Sequence, residues 1–172
     1  MKTRMIQRVL QQNKLFALCC IGFLFFACDA KSVVDTYLPV PENNWQYARS
    51  FSFPFEITDT IATHELFINL RNNNSYAFSN IFLITALEFP NGQQIIDTLE
   101  YQMADGTGAF LGTGFSEIKE NKLVYKENTV FPVSGNYVFS AQQAMRENGN
   151  PVGLPALKGI TDIGFRVEKT TE

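Results

Sequence analysis

Between residues 51 and 168 the apolar positions of this chain recur at every second residue. Phe51, Phe53, Phe55 and Ile57 alternate with Ser52, Pro54 and Glu56, the period of a strand buried on one face. Pro54 marks that strand as an edge, because proline has no N–H to give to a ladder. Leu66, Ile68 and Leu70 form a second inner face, which stops at the turn-forming Asn72-Asn73-Asn74-Ser75. Residues 80–89 (NIFLITALEF) are apolar at both parities, as in a central strand covered on both faces. Pro90-Asn91-Gly92 follows, and Asn-Gly suits the positive φ angles of a hairpin. The return strand is predicted over 94–104, with Ile95, Leu99, Tyr101 and Met103 along it. Further strands fall at 122–131, at 136–141 after Ser134-Gly135, and at 162–168, where Ile163, Phe165 and Val167 share one face. The pattern predicts an all-β domain, an antiparallel β-sandwich of about seven strands. Helix is confined to two short candidates, 116–121 and 142–148, and the second could equally extend the strand before it.

The N-terminus departs from this period. Lys2, Arg4, Arg8 and Lys14 precede an uninterrupted apolar run over 15–27, LFALCCIGFLFFA. A spanning helix needs about 20 apolar residues, so the run reads instead as an export signal peptide over 1–27. It ends in Ala27-Cys28, a small residue directly before a cysteine, which resembles the bacterial lipobox; Leu24 stands four residues before the cysteine where the strictest form has it three before. Cys28 is thus the predicted lipidation site, and two or three acyl chains at about 0.8 kcal/mol per buried methylene hold a protein firmly to a membrane. Residues 28–44, polar and containing Pro39 and Pro41, read as a lipid-anchored tether, and 45–172 as a single β-sandwich domain.

Processing changes what the composition implies. The full chain carries a formal charge of −3. Loss of four basic residues and no acid leaves 10 Lys and Arg against 17 Asp and Glu over 28–172, a formal −7. Such a body has no broad basic face, which excludes generic nucleic-acid binding. Cys19 and Cys20 leave with the signal and Cys28 becomes a thioether, so thiol and disulfide chemistry leave too. One histidine, His64, opens a strand beside Glu65; neighbouring strand residues face opposite ways, so the pair makes a poor dyad and His64 is expected at the surface or a strand end. Without more ligands there is no metal centre, and no Gly-x-Ser-x-Gly elbow is present. The Gly-rich stretch 105–114 lacks the Gly-Lys-Ser/Thr ending of a phosphate cradle and the βαβ context of a dinucleotide fingerprint, so it reads as an exposed connection. No catalytic residue, cofactor or metal is expected, and the protein is read as non-enzymatic. Trp45, Tyr47, Tyr76, Phe78 and Phe110 fall in or beside loops; core packing is the expected fate of any single one, but as a set they leave a second reading, a glycan-binding surface lipoprotein that stacks sugars on exposed rings. Asp59-Thr60-Ile61 and Asp97-Thr98-Leu99 resemble an Asp-Thr-aliphatic O-glycosylation signal of exported Bacteroidetes proteins.

An ordered set of phrases then carries a resemblance. Phe67-Ile68-Asn69-Leu70-Arg71-Asn72, Tyr76-Ala77-Phe78-Ser79-Asn80, Phe89-Pro90-Asn91-Gly92 and Asp97-Thr98-Leu99-Glu100 come first. Gly114-Phe115-Ser116-Glu117-Ile118-Lys119, Phe131-Pro132-Val133-Ser134-Gly135-Asn136-Tyr137, Gln143-Ala144-Met145-Arg146 and a strand ending at Lys169 follow. From about residue 45 to 169 the chain resembles the GldH family of Bacteroidetes gliding-motility lipoproteins. The resemblance implies a membrane-anchored envelope protein, in the outer rather than the inner membrane, that works by contact with other proteins of the gliding and type IX secretion apparatus. The family contributes no catalytic residues, and only Cys28 carries over as a functional position.

Overall fold

The computed structural model describes residues 32–114, 116–147 and 149–170. The expected signal peptide and Cys28 lie outside the described residues. Ten strands run in the order β1 (Ser32–Pro39), β2 (Asn44–Gln46), β3 (Ser50–Ile57), β4 (Thr63–Asn72), β5 (Asn80–Glu88), β6 (Gln94–Gln102), β7 (Lys119–Val130), β8 (Gly135–Gln143), β9 (Ala156–Lys158) and β10 (Ile160–Lys169). They build one four-stranded sheet in the order β1-β10-β4-β7, a second in the order β3-β8-β5-β6, and a two-stranded ribbon of β2 and β9. All pairings are antiparallel. The expected strands are all present, and β3 is an edge, with Pro54 in its middle.

Three expectations change. Within the tether expected over 28–44, Ser32–Pro39 is a strand whose Val34 and Leu38 pack against the core, so the domain begins at Ser32 rather than residue 45. Pro39, read as a linker residue, closes an edge strand, where a missing N–H is tolerated. Neither helix candidate forms: residues 119–121 open β7, and 142–143 extend β8 as the strand alternative had it, because their backbone groups are paired in the ladders. And β5 is central but covered on one face only, since among the described residues no helix lies over the sandwich.

The core lies between the two four-stranded sheets. Phe51, Phe53, Phe55 and Ile57 of β3 and Tyr137 and Phe139 of β8 meet Leu66, Ile68 and Leu70 of β4 and Ile163, Phe165 and Val167 of β10. Phe139 and Phe165 stack across the interface with centroids 4.2 Å apart, and Phe55 stacks on Tyr137 at 5.6 Å. The free edges of β6 and β7 are joined through side chains. Tyr101 Oη donates to the Val124 carbonyl at 2.7 Å, while Tyr125 Oη and Lys126 Nζ both donate to Asp97 Oδ2, at 3.0 and 2.9 Å. Burial, then the Asp97 charge, pushes the Tyr101 phenol up to about 12.

Candidate contact surface

The two outer faces of the sandwich differ in chemistry. On the β1-β10-β4-β7 face, charges answer one another. Glu120 accepts from Arg71 Nε at 2.9 Å and from Tyr37 Oη at 2.9 Å, and the Arg71 guanidinium lies 4.2 Å over the Tyr37 ring. Arg166 joins Asp35 and Glu168, Lys122 Nζ reaches Glu168 Oε1 at 2.7 Å, and the same ammonium sits 3.9 Å over the Phe67 ring. Burial alone would raise the Glu120 carboxyl, but the Arg71 and Tyr37 hydrogen bonds outweigh it and leave its pKa lowered. Tyr37 is pushed up by burial and by its hydrogen bond to Glu120.

The β3-β8-β5-β6 face is different. The even-numbered side chains of β5 point outward and pair across the ladder, Phe82 with Glu100, Ile84 with Thr98 and Ala86 with Ile96. Ile84 is 39% exposed and Ile96 66%. Among the described residues no second layer covers them. At the Asn80 end of β5 this apolar strip deepens into a groove of about 770 Å³ lined by Phe78, Phe82, Ile84, Met145 and Arg146 among others.

Gln143 sets the groove's wall. It is fully buried at the end of β8; its Oε1 accepts from the Met145 N–H at 2.9 Å and its Nε2 donates to the Leu154 carbonyl at 3.0 Å. Beyond that bracket the chain continues alongside β5, where Ala144 N donates to the Phe82 carbonyl at 2.8 Å and Met145 Sδ accepts from Phe82 N at 3.2 Å. Arg146 follows, exposed at the groove's rim and, among the described residues, without an ion-pair partner. An apolar channel ending in an exposed guanidinium suits an apolar segment that carries an acidic group.

Of the residues singled out from sequence, Phe78 and Thr98 line the groove and the others fall elsewhere. Trp45 is fully buried, donating its indole N–H to the Arg49 carbonyl at 2.8 Å, and Tyr76 is buried against Phe78 and Phe110. Of the five rings only Tyr47 is exposed, and its edge is taken up against Gly153, so the rings form no common platform for sugar. His64 is also buried, edge-on to Phe131 at 5.3 Å, while Glu65 points the other way and accepts from Asn128 N. His64 is therefore a core residue, not a surface one, placed by the same inward parity as Leu66. The 105–114 segment is an exposed connection, held by Asp105 Oδ1, which accepts from Thr107 N and Ala109 N at 2.8 and 3.1 Å. Hydrogen bonds from Thr107, side chain then backbone, and from Ala109 lower the Asp105 pKa. Thr98 is exposed on the groove's β6 side and Thr60 is half-buried. Among the described residues no cluster of three or more His, Cys, Asp or Glu is placed to hold a metal ion. The groove was missed, although a signal for it was present: a strand apolar at both parities, in a two-layer fold with no helix to cover it.

Comparison with known proteins gives the family. The model described as GldH lipoprotein matches residues 32–167. A gliding motility lipoprotein GldH homolog of Christiangramia forsetii is 50% identical over 147 residues, 86% of this chain and 90% of that protein. Gliding motility lipoprotein GldH of Flavobacterium johnsoniae is 46% identical over 148 residues, 86% of this chain and 91% of that one. Among solved structures, the infectious bursal disease virus VP2 subviral particle is similar at a TM-score of 0.38 and 14% identity, and this chain spans 34% of that chain's length. Dimeric latent PorU from Porphyromonas gingivalis is similar at 0.34 and 9%, with 81% of this chain covering 13% of that one. Neither structural likeness is close enough to bear on function. The sequence relationships are: this chain belongs to the GldH family of gliding-motility lipoproteins, anchored by lipid in the cell envelope.

Proposed function

We propose that this lipoprotein, acylated at Cys28 in the outer membrane, is a non-catalytic component of the gliding machinery and the linked type IX secretion apparatus. It works by binding another envelope protein in the groove over β5. One observation carries the reading: among the described residues, Phe82, Ile84 and Ile96 stand on an uncovered sheet face and lead to Arg146, which has no ion-pair partner there, while the opposite face carries several ion pairs of its own. The occupant that fits is a protein segment with an apolar side chain for the channel and a carboxylate for Arg146.

The test is complementation of a gliding Flavobacterium johnsoniae strain lacking its own relative. Ile84→Asp puts a charge into the apolar strip, and Arg146→Glu reverses the rim charge; both sites are exposed, so neither variant is expected to lower the amount of folded lipoprotein in membranes. Both should reduce colony spreading and the recovery of crosslinked envelope proteins. Spreading and crosslinking at the unsubstituted level in both variants would remove the groove from the mechanism.

A further inference from the structure

The position of the chain's entry into the fold says which end of the sandwich faces the bilayer. Ser32 pairs with Glu168, and Glu168 with Glu65, two residues beyond Thr63 at the start of β4. The loop 58–62 leads into that start, Val130 pairs with Thr63, and the turn 131–134 returns through Gly135, which pairs with Ile57. All of these lie at one end of the molecule. The opposite end carries the groove, Arg146 and the 144–155 excursion, beyond the Gln143 end of β8.

Only Asp29, Ala30 and Lys31 separate Cys28 from Ser32. Four Cα steps reach at most about 14 Å even when fully extended. The strands that follow run about 30 Å. We propose that the Ile61 end of the sandwich rests on the lipid surface, with Ile61 and Val133 entering the boundary between headgroups and acyl chains. This rests on lipidation at Cys28, and it would hold the groove at the far end, facing away from the membrane.

The end is built for such a contact. Ile61 is 86% exposed and Val133 43%. Asp59 Oδ1 accepts from both Ile61 N and Ala62 N at 3.0 Å, and Lys169 Nζ pairs with Asp59 Oδ2 at 2.7 Å. The loop tip can therefore leave bulk water with these backbone donors satisfied and its charge paired, which removes much of the desolvation cost. Lys169 and Lys126 are each committed to an aspartate, so among the described residues the end has no free basic cluster to draw it to anionic lipid. The contact is apolar, insensitive to salt, and follows from the short tether; the similar exposure of Val152, at 69%, lies at the end the tether cannot bring down.

The mature chain contains no cysteine besides Cys28, so single cysteines can be labelled selectively in the full lipoprotein. Ile61→Cys and Val133→Cys at the near end and Val152→Cys at the far end each receive a fluorophore, and the protein is reconstituted into phosphatidylcholine vesicles with brominated acyl chains. Labels at 61 and 133 should lose most of their emission, several-fold more than the label at 152, at low and high salt alike. Equal quenching at all three sites, or stronger quenching at 152, would overturn the proposal. A vesicle-bound protein with a bright label at 61 overturns the orientation alone. An unsubstituted chain that takes up thiol label and fails to float with vesicles overturns the lipid attachment itself.

Discussion

Gly159 joins β9 to β10 at a point where the backbone leaves no room for a side chain. Its φ is +89°, and a Cβ there would lie 2.2 Å from Tyr76 N and 2.6 Å from Tyr76 Cα, both backbone atoms. The residue also ties two loops to the strands: its N–H donates to the Asn43 carbonyl at 2.8 Å, and its carbonyl accepts from Asn73 N at 2.8 Å. Gly159→Ala therefore meets two penalties. The left-handed conformation costs an alanine about 1–2 kcal/mol. Relief of the clash moves the Tyr76 loop, which weakens a hydrogen bond worth about 1 kcal/mol and strains a packed aromatic site at about 1–3 kcal/mol. Gly108 separates the two, because its φ is +87° and nothing lies within 4 Å of its would-be Cβ. At about 3–4 °C per kcal/mol for a domain of this size, Gly108→Ala should lower Tm by about 3–8 °C and Gly159→Ala by about 10–20 °C. Thermal unfolding followed by circular dichroism reads both. A Gly159→Ala protein no less stable than Gly108→Ala would refute the close approach of β10 to the Tyr76 loop.

Two further outcomes are expected. Trp45, the single tryptophan, should emit in the blue range of buried indoles and resist acrylamide, and Trp45→Ala should cost about 3–5 kcal/mol in urea unfolding; a solvent-like emission maximum would contradict its burial. The Tyr101 phenol, raised from 10.0 to about 12, is kept neutral by the fold. Its contribution is complete below the unfolded pKa of about 10 and disappears as pH rises through the folded value, so unsubstituted protein should lose more stability than Tyr101→Phe across that window; parallel losses in both would refute it.

Much of this fold was readable because half-buried strands announce themselves by period. β3, β4, β8 and β10 each bury alternate residues, and those residues are the ones the alternation marks. β1 was hidden because it is an edge strand with apolar residues at both parities: Val34 and Leu38 turn inward while Tyr37 serves the outer ion-pair network. β2 and β9 have three residues each, too few for any period, and their pairing rests on Trp45 opposite Leu157. Trp45 and Tyr76 took the core fate expected of any single ring, because a large ring in a short connection is readily folded under it, and loop position alone does not mark a displayed ring. For the groove, local pattern shows that β5 is apolar on both sides, but only the assembled fold shows that one side has no neighbour.

The groove and the short tether bear on each other through the strength of contact they permit. An apolar patch of ordinary functional size, about 400 Å², contributes about 10 kcal/mol at 25 cal/mol per Å². Association costs of about 4–15 kcal/mol offset most of that, so a groove of this kind with one charged rim residue gives a weak complex between freely diffusing molecules. Confinement alters the balance. A partner held in the same membrane is met at a raised effective concentration, without any new contact being made. A tether of three residues adds to this by narrowing the heights and tilts the domain can take, provided the domain is anchored at Cys28. The ion pairs on the opposite face fit the same economy: Arg71 with Glu120, Lys122 with Glu168 and Arg166 with Asp35 and Glu168 are already joined, so a second protein approaching there would have to disrupt those bonds before making its own. On the proposed reading one face is open to association while the other is occupied by ion pairs, and an anchor at Cys28 would convert a weak contact into one that persists at the membrane and is lost when the domain is released from it.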